Sequence, residues 1–397
     1  MKVLIMNDFL VCGGAEMQGI REKNLLEKKG HEVYLLTFDN DFPLQDPYYN
    51  LDNGYINLPM RNVNIKKKLN SLGFFKINNS LLNKIRNILN QINPDIIHVN
   101  NLMQDSFTQY KALEGYRIIQ TIRDYVSVCP LGTCIKNKTV CNGENKNNCY
   151  KECGNSIKNI MKIKLNNGRN VYRKKYIQKY ICPSQNLTSY CSNNNYDIKC
   201  INNPFDFNKF KGLIKKIDFE KKIYLYYGAI NTNKGVINLI NAFNKFSQEK
   251  SCKLLIAGQV FDEVKDEFKK ILRNSNNIEY LGVLKYEEMI NVLEIVHTIV
   301  VPSVWMENYP NTVLEGLATG TLVVGSTRGG IPEMINNEDF IFDVNYENQI
   351  IKVLNKSYNL SKNEYSNIVN QNKNYVKVNN SLDKYYHRLI NEFNNLL

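Results

Sequence analysis

The sequence has no long apolar run and no recognisable leader, and these absences limit where the protein can act. Across 397 residues no apolar run approaches the ~18 residues that a membrane-spanning helix needs. The first segment, MKVLIMNDFL, lacks the charged, apolar and small-residue regions of a signal peptide and is predicted to be a strand. Ten cysteines would suit a secreted disulfide scaffold only in a much shorter chain. We therefore expect a cytoplasmic protein whose cysteines are reduced or bind metal.

Histidine is scarce as well, which leaves few candidates for a general base. The sequence has four histidines. His98 falls inside a predicted strand and His297 at the start of another, so each is interpreted as a core or edge histidine. A dinucleotide-binding fingerprint is also missing, because Gly13, Gly14 and Gly19 do not follow the GxGxxG order.

What the sequence does contain is a regular alternation of apolar strands and helical patterns. Such spacing predicts parallel sheets in an α/β fold. A length of 397 residues predicts two or three domains at roughly 150 residues each. The first alternation ends near Asn203-Pro204, and a second begins at residue 223. Beyond residue 342 the pattern is helical to the end of the chain.

The most informative stretch reads VPSVWMENYPNTVLEGLATGTLVVGSTRGGIPE. It begins at the end of a buried strand, continues with a loop that carries Glu307, and predicts a helix from Pro310, with Asn308 and Asn311 as its caps. The N–H groups at the start of this helix form a site for phosphate. Glu307 and Glu315 are acceptors for sugar hydroxyls and can face the same edge of the sheet. A phosphate site between two hydroxyl acceptors indicates a nucleotide-sugar site.

This stretch resembles the donor-site signature of retaining GT-B glycosyltransferases of family 4, also called glycosyl transferases group 1. The match is long and ordered, and it consists of Pro302-Ser303, Glu307-Asn308-Tyr309-Pro310-Asn311, Glu315 and Gly329-Gly330-Ile331-Pro332-Glu333. The resemblance implies an α/β protein with two Rossmann-like, doubly wound parallel-sheet domains that face each other across a cleft. We expect an acceptor domain at residues 1–203, a donor domain at residues 204–377, and a C-terminal helix at residues 378–397 that crosses back to the first domain.

The resemblance also implies roles for individual residues. Glu315 is expected to bind the ribose hydroxyls, Glu307 the transferred sugar, and Lys234 the charge that grows on the leaving diphosphate. No catalytic metal is expected, since Lys234 and the helix dipole supply the positive charge. The residues expected to bind the donor are Gly13, Gly14, Lys234, Asn308, Tyr309, Pro310, Asn311, Thr312 and Glu315.

Two positions depart from the family pattern. Arg123 occupies the place where the family usually has a histidine that reaches the transferred sugar. We include it with Glu307 and Lys234 in the expected catalytic set, as a residue that binds phosphate or an acidic acceptor; a simple pair with Asp124 is the alternative. Ala229 stands where an arginine usually contacts the diphosphate, so the site depends more on Lys234.

A polar insertion at residues 129–153 contains five cysteines. Cys134, Cys141, Cys149 and Cys153 are the candidate ligands of a structural zinc ion, which four thiolates can hold in a tetrahedron. Their spacing is only partly typical of zinc sites. Free thiols and a redox disulfide therefore stay as alternatives.

Two stretches of the expected acceptor domain have basic residues but no acidic ones. Residues 61–86 and 158–179 together hold fifteen lysines and arginines, interleaved with apolar side chains. Basic amphipathic segments of this kind lie on anionic membrane surfaces. The alternative is a pair of solvated helices packed on the sheet. We expect peripheral association with the inner face of the cell membrane and no nucleic-acid partner.

The expected activity is transfer of a sugar from a nucleotide-diphosphate sugar to a glycan or a lipid-linked glycan, in the assembly of a cell-surface polysaccharide. A sugar phosphorylase and a nucleotide-sugar epimerase can have the same architecture and are the enzymatic alternatives. A non-catalytic subunit that binds a sugar nucleotide is the third. Release of a nucleoside diphosphate when acceptor is added would distinguish a transferase from all of them.

Overall fold

The protein consists of two units. The computed structural model describes residues 1–10, 14–39, 54–58, 77–102, 106–136, 139–141 and 148–397. One unit comprises Met1–Asn203 together with Tyr385–Leu397, and the other comprises Pro204–Lys384. The domain boundaries predicted from the sequence fall after residues 203 and 377.

Strands and helices alternate along the first unit. Within the described residues its strands are β1 (Lys2–Asn7), β2 (Glu32–Thr37), β3 (Tyr55–Asn57), β4 (Ile96–Asn101), β5 (Ile118–Thr121), β6 (Ile135–Lys136), β7 (Thr139–Val140), β8 (Lys179–Cys182) and β9 (Ile198–Cys200). Its helices are α1 (Gly14–Lys28), α2 (Asn79–Ile92), α3 (Ser106–Ala112), α4 (Asn148–Glu152), α5 (Ile157–Tyr176) and α6 (Gln185–Ser192).

Seven of these strands form one parallel sheet in the order β3-β2-β1-β4-β5-β8-β9. Residues 3–6 of β1 are fully buried and apolar, and β4 and β5 are buried along nearly their whole length. Near-continuous apolar strands are what a parallel sheet covered on both faces requires. The pair β6 and β7 is a separate antiparallel hairpin within the cysteine-rich insertion.

The second unit repeats the same plan. Its strands are β10 (Lys222–Tyr227), β11 (Cys252–Ala257), β12 (Ile278–Gly282), β13 (Thr298–Val301), β14 (Leu322–Ser326) and β15 (Ile341–Phe342), and they form a parallel sheet in the order β12-β11-β10-β13-β14-β15. The helices that follow α6 are α7 (Val236–Phe246), α8 (Lys265–Arg273), α9 (Tyr286–Ile295), α10 (Asn311–Thr319), α11 (Ile331–Ile335), α12 (Glu347–Asn359), α13 (Lys362–Asn379) and α14 (Leu382–Asn394).

Helix α10 lies unusually close to the second sheet because it carries a glycine on its inner face. A Cβ atom on Gly316 would lie 2.6 Å from Val323 Cγ2 and 2.9 Å from Ile299 Cδ1. The helix ends at Gly320, which has φ 73° and ψ 37°. This packing fixes where the N-terminus of α10 lies relative to the carboxyl ends of β13 and β14.

The C-terminal helix α14 joins the first unit through buried polar contacts. Tyr385 donates a hydrogen bond to Glu22 Oε2 at 2.7 Å. Glu392 is only 2% exposed and pairs with Lys179 at 3.0 Å and Lys199 at 2.7 Å. A buried carboxylate needs such partners, so the end of the chain is anchored to β8 and β9.

Candidate active site

Apart from Gly13 and Gly14, the residues that the sequence assigns to the donor lie in the second unit, at the carboxyl ends of β10 and β13. These strands are neighbours in the sheet although β11 and β12 separate them in the chain. Open α/β sheets bind their ligands at such a switch in strand order. Tyr227 is the last residue of β10, and Ser303 follows β13 closely.

Glu307 is held at this point by donors from three directions. Its Oε1 accepts from Lys234 Nζ at 2.6 Å, from Ser303 Oγ at 2.6 Å and from Trp305 Nε1 at 2.8 Å. The carboxylate is 7% exposed. Charge-assisted hydrogen bonds of this kind are short and strong, so the group is fixed in one orientation.

The turn that carries Lys234 is pressed against the residues that follow β13. Lys234 ends a 3₁₀ turn, and the side chain of Asn231 accepts from the N–H groups of residues 233 and 234. Gly235 follows with φ 67°, and a Cβ atom there would lie 2.0 Å from the carbonyl oxygen of Pro302. Lys234 Nζ lies 4.9 Å from the centre of the Trp305 ring. The ammonium group is therefore placed between an aromatic face and the Glu307 carboxylate.

The turn at Gly329 and Gly330 supports the backbone of Glu307. Gly330 N–H donates to the Glu307 carbonyl at 2.8 Å. Gly329 has φ 62°, and a Cβ atom there would lie 1.9 Å from that same carbonyl oxygen. The two glycines therefore help to fix the backbone position of Glu307.

Glu315 is oriented by a tyrosine. Tyr227 donates to Glu315 Oε2 at 2.8 Å, and its hydroxyl lies 3.3 Å from the Thr312 carbonyl. Burial, followed by the nearby charge of Glu315, raises the pKa of Tyr227 well above its ordinary value. The hydroxyl therefore stays protonated and keeps donating to the carboxylate.

The start of α10 differs in one respect from the prediction. Pro310 itself is the N-cap, with φ −67° and ψ 128°, and no side chain of the described residues caps the helix. The prediction that Asn308 and Asn311 cap it is wrong, because Pro310 occupies the cap position and its carbonyl accepts from the N–H groups of residues 313 and 314. The side chain of Tyr309 is buried, and its hydroxyl accepts from Asn380 Nδ2 at 2.8 Å.

Comparison with known proteins decides the family of this site. Residues 209–375 match the family model of the glycosyl transferases group 1. This part of the chain belongs to that family. With its two parallel-sheet units, the protein is a glycosyltransferase of the GT-B fold.

Three similar proteins extend the comparison. The glycosyltransferase is 25% identical over 362 residues to an uncharacterized 42.6 kDa protein in the cps region of Klebsiella pneumoniae, covering 84% of this chain and 87% of that one. It is 30% identical to the lipopolysaccharide 1,2-N-acetylglucosaminetransferase of Salmonella typhimurium, over 28% of this chain and 32% of that one. The structure of Anabaena Alr3699/HepE in complex with UDP and glucose superposes with a TM-score of 0.70 at 13% identity, with 100% of both chains covered.

Several residues of the glycosyltransferase site were not identified from the sequence as site residues. They are Ser303, Trp305, Tyr226 and Tyr227. The hydroxyl of Tyr226 donates to the Ala229 carbonyl at 2.6 Å, and burial and the nearby Glu307 raise its pKa. Two features of the sequence could have identified these site residues. One is the pair of tyrosines at the end of an apolar strand, next to a glycine, and the other is the sole tryptophan of the sequence.

In the first unit, Arg123 lies directly after β5 and binds neutral partners. Its Nε and Nη2 donate to Asn100 Oδ1 at 2.8 and 2.6 Å, and its Nη1 donates to Asn203 Oδ1 at 2.8 Å. Asp124 instead accepts from the N–H of Val126 at 2.9 Å. The alternative in which Arg123 only pairs with Asp124 is therefore wrong. Of the expected glycine pair, Gly14 begins α1, and Gly13 lies outside the described residues.

Both strand histidines are core residues, as predicted. His98 is fully buried, contacts the Glu22 carboxylate through Nδ1, and has Nε2 2.7 Å from Thr121 Oγ1. His297 is also fully buried, and burial lowers its pKa to about 3. A histidine that cannot take up a proton at neutral pH, away from the Glu307 site, does not serve as its general base.

The four-thiolate zinc site expected in the cysteine insertion stays a prediction. Cys134 donates its backbone N–H to Cys129 Sγ at 3.4 Å. A hydrogen bond from the Cys134 thiol, aided by backbone N–H groups, lowers the pKa of Cys129 to about 5, and the same contact raises the pKa of Cys134. Among the described residues, no three His, Cys, Asp or Glu side chains are grouped to hold a metal ion. The Cys141 N–H donates to the Cys134 carbonyl at 2.8 Å, so these two residues lie next to each other.

Proposed function

We propose that this glycosyltransferase moves a sugar, with retention of configuration, from a nucleoside-diphosphate sugar to a glycan or a lipid-linked glycan. One observation carries the proposal. Two oriented carboxylates, Glu307 and Glu315, lie beside a lysine and an N-terminus of a helix at the switch point of the second sheet. This set matches, group for group, the sugar, the ribose and the diphosphate of such a donor.

The donor would be bound in three parts. Glu315 accepts hydrogen bonds from the ribose hydroxyls, with Tyr227 keeping its carboxylate in place. The first N–H groups of α10 have no partner within the helix and, with the helix dipole, bind the diphosphate. Glu307 contacts the transferred sugar. Lys234 now pairs with Glu307, and an arriving diphosphate draws the ammonium group partly toward itself.

For the transfer itself, the protein has to position the donor and the acceptor and to stabilise the charge that develops on the leaving phosphate. The bond between the sugar C1 and the phosphate oxygen breaks, and its electron pair leaves with the nucleoside diphosphate. The acceptor hydroxyl oxygen forms the new bond to C1, and its proton passes to the leaving phosphate. Lys234 and the α10 dipole stabilise the negative charge on that phosphate, the kind of contribution that is often the largest in catalysis. No metal is needed for this scheme.

Uridine nucleotides are the first donors to test, because a protein of the same fold was crystallised with UDP and glucose. A surface glycan is the first acceptor class to test, since one relative is named as a lipopolysaccharide sugar transferase and another lies in a cps region.

Trp305 provides a direct test of donor binding. It is the only tryptophan in the sequence, and its Nε1 donates to Glu307. Titration with UDP-sugars should therefore produce a saturable change in tryptophan emission, and addition of acceptor glycan should release UDP. An emission spectrum unchanged by every nucleotide sugar in a panel would exclude a donor at this site.

The same experiment distinguishes the alternatives. A phosphorylase would need inorganic phosphate and no nucleotide. An epimerase would convert the sugar without any acceptor. A non-catalytic subunit would give the emission change but release no UDP.

We also propose that the protein binds the inner face of the cell membrane through helix α5. Its outward side exposes Ile157 (74%), Ile160 (42%) and Val171 (66%). Exposed lysines flank these residues, among them Lys164 and Lys175. Apolar side chains among lysines suit the headgroup region of an anionic bilayer.

The other basic stretch contributes less to this proposal. Residues 61–76 lie outside the described residues, and residues 79–86 belong to α2. In the described part of the chain, no helix has both the length and the apolar character needed to cross a bilayer.

A further inference from the structure

A buried hydrogen bond connects the donor loop, residues 307–310, with a residue near the end of the second unit. The loop leads through Tyr309 to Pro310, the N-cap of α10. The Tyr309 hydroxyl accepts from Nδ2 of Asn380 at 2.8 Å. Asn380 is the C-cap of α13 and is 1% exposed, and Tyr309 is 8% exposed. The contact is therefore shielded from water, and a hydrogen bond in such surroundings is electrostatically strong.

The backbone of Asn380 makes a second contact, with the segment that begins the second unit. Phe205 donates its N–H to the Asn380 carbonyl at 2.7 Å. Phe205 is buried and belongs to the same hydrophobic core as Tyr309. Asn380 thus binds the donor loop with its side chain and the segment at Phe205 with its carbonyl.

Both contacts lie close to the points where the chain passes between the two units. The first unit ends at Asn203 and resumes at Tyr385, and the second unit consists of the residues between them. Phe205 directly follows the first residue of the second unit, and Asn380 precedes the short segment 381–384 that ends it. The side chain of Asn380 is therefore a direct link between the donor loop and both passages of the chain.

The donor loop is the part of the second unit that a bound nucleotide would restrain. The first N–H groups of α10 have no partner within the helix, and a diphosphate would bind there. Tyr309 directly precedes Pro310, the cap of that helix. A restrained helix start therefore also restrains the Tyr309 hydroxyl and, through it, Asn380.

On the basis of the donor site proposed above, we infer that Asn380 is a positioning residue. It holds the donor loop through Tyr309, and it passes the restraint from a bound donor to the two chain passages. Asn380 acts through Tyr309 and contributes no group to the reaction itself.

Two substitutions break the contact between the side chains in different ways. Tyr309→Phe removes the hydroxyl and keeps the ring, and Asn380→Ala removes the amide and keeps the carbonyl that binds Phe205. Each should raise the Kd for UDP by about three- to tenfold, the range that one neutral hydrogen bond contributes. Calorimetry measures the Kd, and the Tm of each variant shows that it is folded.

Tyr224→Phe is the matched control. It removes another buried hydroxyl of the second unit, one that lies 3.0 Å from Ser357 Oγ on α12. Since this hydroxyl does not contact the donor loop, its loss should change the Kd for UDP by less than about twofold. A control that weakens UDP binding as much as Tyr309→Phe does would overturn the inference.

The double variant shows whether the two side chains act through their mutual contact. Each single substitution already breaks the same hydrogen bond, so Tyr309→Phe combined with Asn380→Ala should raise the Kd no more than the larger single effect. Single effects that multiply in the double variant would show that the side chains act independently, and the inference would be wrong.

Hydrogen exchange at the Phe205 N–H tests the link to the chain passages. Saturating UDP should slow this exchange by about fivefold or more in the wild type, because a restrained donor loop opens less often. In Tyr309→Phe saturated with UDP, the rate should stay as it is without nucleotide. General stabilisation by the ligand would instead slow exchange in both proteins. Equal slowing in both, or in neither, contradicts the inference.

The affinity of the wild type for UDP separates this inference from the proposed function. If UDP does not bind the wild type, the donor site is wrong and the role of Asn380 fails with it. If UDP binds the wild type, and Tyr309→Phe and Asn380→Ala leave both affinity and exchange unchanged, the role of Asn380 alone is wrong.

Discussion

A single carboxylate oxygen, Oε1 of Glu307, accepts hydrogen bonds from Lys234, Ser303 and Trp305. In contrast, Glu315 receives one from Tyr227 at its Oε2. The two glutamates therefore have different environments although they belong to one short motif. Glu307 is paired with the ammonium group of Lys234, and Glu315 is bound by a neutral hydroxyl. Different environments suit different parts of the donor.

Glu315→Gln should weaken UDP binding, and Glu307→Gln should reduce turnover. Loss of a charged acceptor for ribose hydroxyls costs roughly 1.5–3 kcal/mol per hydrogen bond, which raises the Kd for UDP by about tenfold or more. Glu307→Gln should change this Kd by less than about threefold but lower kcat by on the order of a hundredfold. Calorimetry is the suitable measurement of Kd, since Trp305 contacts Glu307 and its emission would change in the variant. Equal effects of both substitutions on UDP affinity would contradict this division of roles.

At the scale of elements, the site is assembled by turns that only glycine can form. Gly329 lies in the left-handed region and its Cα faces the Glu307 carbonyl with no room for a Cβ atom. Gly320 has a similar conformation at the end of α10, but the nearest atom to its Cβ position is Lys373 Cδ at 3.8 Å. Alanine substitutions at the two glycines can therefore be compared. At Gly320 the substitution adds backbone strain alone, whereas at Gly329 it also displaces Glu307.

Gly329→Ala should impair catalysis far more than Gly320→Ala. Both substitutions force alanine into the left-handed region at a cost of about 1–2 kcal/mol, so both should lower the Tm. Gly329→Ala must also move Glu307, and a shift of about 1 Å at a reacting group can cost on the order of a hundredfold in rate. The measurement is kcat with UDP release, beside Tm by calorimetry. Similar activity of the two variants at similar Tm would show that the turn does not position Glu307.

Helix α5 allows a test of membrane binding at the same scale. The variant with Ile157→Ser, Ile160→Ser and Val171→Ser should lose most co-sedimentation with vesicles of anionic lipid. Binding of the wild type should also fall as salt rises, because the screening length shortens to ~3 Å at 1 M.

The control for this experiment removes equally exposed apolar side chains from the second unit. Ile214→Ser, Tyr346→Ser and Val378→Ser replace residues that are 65%, 60% and 63% exposed. This variant should bind vesicles as the wild type does. If both variants lose binding to the same extent, the outward side of α5 has no special role.

For the molecule as a whole, burial lowers the pKa values of several basic groups in the second unit, His297 and Lys215 among them. The pKa of His297 falls to about 3 and that of Lys215 to about 7. Lys215 Nζ donates to the Val296 carbonyl at 3.0 Å and to Thr321 Oγ1 at 2.8 Å. In both cases the unfolded chain binds the proton more tightly, so stability rises with pH within each window.

The unfolding free energy should therefore decrease as the pH is lowered from about 6.5 toward 3, partly because of His297. One extra proton bound by the unfolded chain gives a slope of about 1.4 kcal/mol per pH unit. His297→Phe should flatten this part of the profile, whereas His387→Phe, at an exposed position on α14, should not. Denaturant unfolding between pH 7 and pH 4 measures the slopes. Parallel profiles for wild type and His297→Phe would show that His297 is not the group responsible.

The sequence by itself determined the fold class and the donor motif. The strand before Glu307, at residues 298–301, could be located in the sequence because a buried parallel strand is a short, continuous apolar run. The motif from Glu307 to Gly330 could be located since helix starts and glycine turns depend on residues that are adjacent in the chain. Both histidines were placed in the core for the same reason, as members of apolar runs.

Tertiary structure alone decided which distant side chains meet. Ser303, Trp305 and Lys234 converge on Glu307, and Tyr227 reaches Glu315 across 88 positions in the sequence. Arg123 contacts Asn100 from β4 and Asn203, whereas a pair with its neighbour Asp124 was the alternative that the sequence left open. Local sequence patterns indicate periodicity and turns. A hydrogen bond between separate elements depends on strand order and helix packing instead. These determine the neighbours of each side chain only after the sheet has formed.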